Sequence, residues 1–117
     1  MPVLYKFIQK NVLMIIQLNT DNNVHFGEKS REEYTSFISQ ELDRYSEHIT
    51  RVEVYLGDEN GRKEGQNDKR CLMEARYEGM TPIVATGHAN TYELAIEAAL
   101  STLKSNLAKV REKLSNH

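Results

Sequence analysis

The sequence predicts an α+β fold, a single-domain two-layer sandwich in the order β-α-β-β-β-α, with a four-stranded sheet and two helices on one face. Three observations carry this expectation. The stretch Ile49 to Ala85 reads as three strands in a row, joined by one long polar loop and one tight turn. An unbroken apolar stripe at helical spacing follows at once, and a second such stripe lies upstream. Elements with one apolar face must bury it against another, and a sheet with both helices on one side is the economical solution.

The first strand opens at Met14, where Met14, Ile16 and Leu18 alternate with Ile15, Gln17 and Asn19. The turn-rich run TDNNVHFGEKS ends it. From Ser30 to Ile49 the residues Tyr34, Phe37, Ile38, Leu42, Tyr45 and Ile49 recur at steps of three or four, the stripe of an amphipathic helix. Ser30 and Glu33 have capping-box spacing and predict its start. On the next strand Val52, Val54 and Leu56 share a face, with Arg51, Glu53 and Tyr55 on the other. After the loop GDENGRKEGQND, Cys71, Met73, Ala75 and Tyr77 alternate with Arg70, Leu72, Glu74 and Arg76. A short turn at EGM leads into PIVATGH, where Pro82 suits the first residue of a strand. In the last helix Tyr92, Ile96, Ala99, Leu103, Leu107, Val110 and Leu114 form one stripe, capped by Asn90 or Thr91. Residues 1–13 stand apart as an N-terminal extension. They represent either a start assigned too early or an extra segment whose Val3, Leu4, Tyr5, Phe7 and Ile8 pack on the domain at 14–117. On this reading, deleting them leaves a folded domain.

With 117 residues, 39% of them apolar and 27% charged, the chain has the size and make-up of one domain with one core. No run approaches the ~18 apolar residues of a membrane-spanning helix, and the first residues lack the uninterrupted apolar stretch of a signal peptide. A single cysteine, Cys71, forms no internal disulfide, which points to the cytoplasm. The net charge of −2 argues against indiscriminate nucleic-acid binding. The charge is unevenly placed, however. Residues 21–59 hold ten acids and four bases, whereas residues 99–117 hold four bases and one acid.

No constellation for catalysis stands out. His25, His48, His88 and His117 lack metal-site spacing, and Asp58, Glu59, Asn60 and Asp68 lack the alternating ligands and terminal glutamate of a calcium loop. There is no nucleophile elbow and no phosphate-cradling glycine loop. No enzyme, metal, cofactor, small-molecule substrate or membrane partner is expected. Two basic groups remain. Arg51, Arg70 and Arg76 alternate with Glu53 and Glu74 on the outer sheet face, either as a cross-strand ion ladder or as a face that meets RNA or protein. Lys104 and Arg111 lie on one flank of the last helix and Lys109 and Lys113 on the other, at the end where cations also favour the helix dipole.

The segments ITRVEVYL, KRCLMEARYEG with PIVAT, and TYELAIEAALSTLKSNLAKVREKL, in this order, resemble the ribosome hibernation-promoting-factor family, the ribosome-associated inhibitor A group, over residues 14–117. The resemblance implies a fold similar to a double-stranded-RNA-binding domain. It implies binding to the small ribosomal subunit between head and body, and inhibition of translation in resting or stressed bacteria by occluding the messenger and transfer RNA sites. It assigns RNA contact to Lys104, Lys109, Arg111 and Lys113, helped by Arg70 and Arg76. Thr102 and Ser105 stand where well-known members carry Lys and Arg, and the first helix is acidic, so fewer phosphate contacts and a shallower salt dependence are expected. The chain ends with the helix, so ribosome pairing through a further C-terminal domain is not expected. The competing expectation, motivated by the acidic first helix, is a protein-interaction module of the same fold that has lost ribosome binding.

Overall fold

The computed structural model describes residues 2–9, 12–59 and 66–115. Its elements are β1 (Val3–Gln9), β2 (Val12–Thr20), α1 (Glu28–Glu41), a 3-10 turn (Asp43–Tyr45), β3 (Ile49–Asp58), β4 (Lys69–Tyr77), β5 (Ile83–Ala89) and α2 (Tyr92–Ser115). The strands form one sheet in the order β1-β2-β3-β4-β5. Only β2 and β3 run parallel, bridged by α1; every other neighbouring pair is antiparallel.

The sheet therefore has five strands, not the four expected. The additional strand is the N-terminal segment, which pairs along β2 from Val3 opposite Leu18 to Gln9 opposite Val12. Val3, Tyr5 and Phe7 turn toward the helices, while Leu4 and Ile8 stay exposed on the other face. Lys6 is the one charged residue from Val3 to Ile8, so the period-two signal is too weak to read. Removing residues 1–13 strips β1, the first two residues of β2 and the packing of Tyr5 and Phe7 on the core. Strands β3–β5, most of β2 and both helices are left intact. The truncated chain is expected to fold with a lower melting temperature, which thermal denaturation beside the full chain checks.

Both helices pack on one sheet face. Met14, Ile16, Leu18, Val52, Val54, Leu56, Cys71, Met73, Ala75 and Ala85 point from the strands into a single core. Ile38 and Leu42 meet them from the α1 segment, and Ala95, Ile96, Ala99, Leu100, Leu103 and Leu107 from α2. Burial, offset only in part by the charge of Arg70, pushes the Cys71 thiol up to about 12, which keeps it protonated and inert at neutral pH.

Two boundaries differ from expectation. Helix α1 starts at Glu28 with Gly27 as N-cap and no side-chain cap, two residues before the Ser30 capping box. It stops at Glu41, and the 3-10 turn carries Tyr45 to the middle of α2, where its hydroxyl donates to the Lys104 carbonyl at 3.5 Å. Apolar spacing continued past Leu42 because Tyr45 and Ile49 are still buried, although the backbone had left the helix. Helix α2 starts as expected, with Thr91 Oγ1 accepting from the Leu94 amide at 3.1 Å.

The helices run parallel. Near their starts Tyr34 Oη donates to Glu93 Oε1 at 2.7 Å, and further along Lys104 Nζ donates to Glu41 Oε1 at 2.7 Å. Phe26 stands edge-on to both Tyr34 and Tyr92 at the same starting end. Loss of solvent and the hydrogen bond to Glu93 push the Tyr34 phenol up, while the same bond holds the Glu93 carboxyl down.

Candidate nucleic-acid interface

The basic end of α2 is built by overshoot. The core stripe ends at Leu107; Val110 is half-buried, and Leu114, in register with the stripe, is 51% exposed. The last two turns thus project beyond the layer that the helix covers. Lys109, Arg111 and Lys113 are exposed there, and none forms an ion pair among the described residues. Arg111 shares a shallow depression with Asp43, Arg44, Ser46 and Glu47. Asp43 and Glu47 offset the two cations there; Arg44 is nonetheless brought to this end of α2, although its sequence position placed it in the acidic first helix. Helical projection beyond Leu42 missed it, because the backbone tightens into the 3-10 turn there.

Lys104 is the least available of the four. Its side chain is only about a third exposed, and its ammonium sits on the Glu41 carboxylate. The other half of the predicted set lies elsewhere. Arg70 and Arg76 project from the sheet face away from the helices, as the alternation of β4 requires. Because α2 returns along β5, its end lies beside the Tyr77 end of β4. Arg76 is near that end, on the opposite face. Arg70 is at the other end of the strand, roughly 20 Å away at the rise of an extended chain. The six residues do not form one patch.

On the open face the ion ladder is present. Glu53, 13% exposed, lies 3.5 Å from Arg51 Nε and 3.5 Å from Arg76, and accepts the Tyr55 hydroxyl at 3.0 Å. The Arg51 guanidinium also donates to Gln17, which donates in turn to Asn19. Arg70 faces Gly57 and His88 across the neighbouring strands and forms no ion pair among the described residues. Residues 60–65 of the loop between β3 and β4 lie outside the described residues, and with them Asn60 of the calcium-loop comparison. At the loop's mouth Asp58 and Asp68 are buried and share Lys69, whose ammonium is 2.9 Å from one and 3.4 Å from the other. That lysine offsets part of the charge of the pair. His117 also lies outside the described residues, and no group of three or more potential metal ligands occurs among those described.

Residues 16–115 match the sequence profile of the sigma 54 modulation protein / S30EA ribosomal protein family. The chain belongs to that family. This agrees with the resemblance to hibernation-promoting factors read from the strands and α2. Two solved structures share the S30EA-type fold. One is a ribosomal subunit interface protein from Coxiella burnetii, 15% identical, with a TM-score of 0.63 over 83% of this chain and 97% of that one. The other is the N-terminal domain of Thermus thermophilus Protein Y, 18% identical, with a TM-score of 0.61 over 80% of this chain and 93% of that one. No curated protein matches this chain in sequence. No helix among the described residues is long and apolar enough to cross a membrane.

Proposed function

We propose that this chain binds the small ribosomal subunit in the cytoplasm of resting or stressed bacteria and inhibits translation by occluding the messenger and transfer RNA sites, without catalysis. Family membership supports ribosome association. The observation that carries the RNA contact is the projecting tail of α2, with Lys109, Arg111 and Lys113 exposed within five residues. Guanidinium and ammonium groups form charge-assisted bonds to phosphate, and a folded RNA is read largely by shape and backbone. The likeness to a double-stranded-RNA-binding domain implied by the family fits such a contact. Arg44 lies at the same end and extends it, and Lys104 contributes by releasing Glu41; Arg76 reaches RNA only from the opposite, open face. Arg70 enters only as a separate contact from the open face.

Converting Lys109, Arg111 and Lys113 together to Ala is expected to weaken co-sedimentation with small subunits at least about tenfold and to relieve inhibition in a translation assay. The salt dependence should flatten, since each lost phosphate contact removes about 0.7–0.9 from the log–log slope. The fold should survive, because none of the three is in the core. A folded triple variant that binds and inhibits like the parent removes this helix from the interface. A parent that never binds small subunits at low salt leaves the protein-interaction module, which the acidic α1 favours, as the better reading.

A further inference from the structure

One exposed row of α2 is unused by the core and only partly used by the proposed RNA contact. Glu93, Glu97, Ser101, Lys104, Ala108 and Arg111 follow one another at steps of four or three and share one side of the helix. All are exposed except the half-buried Lys104. The row is acidic at Glu93 and Glu97, small at Ser101 and Ala108, and basic at Lys104 and Arg111. Such a pattern is self-complementary when two copies of the helix lie antiparallel, because the acidic end of each then meets the basic end of the other.

The surroundings strengthen the acidic half. Between α1 and α2 run two adjoining hollows of about 210 and 310 Å³. Glu33 and Glu97 line the first, and their lips hold no cation there; Phe37, 36% exposed, is common to both. Lys104 closes the far end and is already held by Glu41. The groove is thus apolar at its floor and negative at its rim, which disfavours phosphate and suits a cationic helix. The projecting α2 tail is such a helix, with Arg111 and Lys113 beside an exposed Leu114.

We propose that the chain self-associates as a two-fold dimer through antiparallel α2 helices, with Arg111 of each copy set against Glu97 and Glu33 of the other. Pairing positions 97 and 111 places the two-fold axis beside Lys104. The two Lys104 side chains then approach each other, each with its charge balanced by its own Glu41. Helices pack about 8–10 Å apart in such a contact. Two short helix faces form a small, polar interface below the area of a stable dimer, so the association is weak and salt-sensitive. On the function proposed above, the dimer covers Arg111, and self-association competes with RNA binding. The dimer itself does not depend on that function.

Sedimentation equilibrium of the full chain at ~50 mM and ~500 mM salt tests this without ribosomes. The parent should show a monomer–dimer equilibrium at low salt that dissociates at high salt. Glu97→Lys and Arg111→Glu, each made alone, should weaken the dimer about tenfold or more, because each sets like charges together twice. The double variant Glu97→Lys/Arg111→Glu should recover it, and so should an equimolar mixture of the two single variants. Circular dichroism confirms that each variant is folded. A parent that stays monomeric up to ~1 mM at low salt, or single variants that neither the double variant nor the mixture rescues, overturns the proposal. So does a dimer lost in Ile8→Lys but kept in Glu97→Lys, which would place the contact on the open sheet face instead.

Discussion

Gly87→Ala is expected to destabilise the fold by about 3 kcal/mol or more, the upper end of the range for overpacking in a core. A Cβ added at Gly87 would lie 2.5 Å from the Ala95 carbonyl oxygen, 2.5 Å from the Ala99 amide nitrogen and 2.8 Å from the Ala98 Cβ. Two of these are helix backbone atoms, which cannot swing aside as a long side chain does. The added methyl must either lift α2 off β5 or bend the strand. Lifting α2 also opens the packing of Ala95, Ile96 and Ala99, all buried. Gly57→Ala is the internal comparison. Its nearest neighbour is the carboxylate tip of Asp21 at 2.7 Å, an exposed side chain that can rotate, so a smaller loss is expected there. Urea melts of both variants measure the difference, and equal losses would mean that α2 accommodates the methyl by sliding.

Leu103→Ala is expected to cost about 2–5 kcal/mol, the range for truncating a fully buried leucine. Leu103 is 0% exposed in the middle of the α2 stripe, inside the same cluster as Ile96, Leu100 and Leu107. Its removal leaves a cavity between helix and sheet that neighbouring side chains fill only in part. Lys113→Ala, ten residues further on the exposed tail, should change stability by no more than about 0.5 kcal/mol. The contrast is read from denaturation midpoints at unchanged slope. Equal losses would mean that the tail carries packing energy, contrary to its exposure.

Much of this arrangement was legible before the structure, and the rest has identifiable causes. Strict alternation on β3 and β4 assigned each side chain its face correctly, including the outward-facing Arg70 and Arg76. That same alternation separates the two arginines from the α2 cations, since the helices cover the opposite face. The α2 stripe was clear because nearly every turn adds a large apolar residue, although Leu100, buried beside it, went unrecognised. The N-terminal strand escaped because Leu4 and Ile8 are as apolar as the inward Val3, Tyr5 and Phe7, which hides a period of two. The start of α1 escaped because Gly27 caps it without a side-chain signal. Gly87 reads as an ordinary glycine, because the close approach that demands it comes from a helix whose docking cannot be inferred from local pattern. Arg44 comes to the same depression as Arg111 through tertiary packing that helical projection does not show.

The parallel pairing of β2 with β3 divides the chain in a way that bears on how it assembles. Every other strand pair is antiparallel and joined without an intervening helix, and α2 docks directly behind β5. The chain therefore consists of two sequence-local halves, a hairpin before residue 21 and a larger unit after residue 48, held by one seam. Along that seam Ile15 pairs with Arg51 and Thr20 with Leu56, partners 36 positions apart. By ideal-chain estimates, closing a loop of that length costs about 3 kcal/mol of chain entropy, only about 1 kcal/mol more than closing the β3–β4 hairpin. The seam is thus a small extra cost, and it falls due only once both halves present their apolar faces. Topology of this kind places the contact order between that of helical bundles and that of all-β sandwiches. On chain entropy alone, the docking of the N-terminal hairpin and α1 onto the β3–β4–β5–α2 unit is the expected late event in assembly, because the seam spans the longest loop between paired strands.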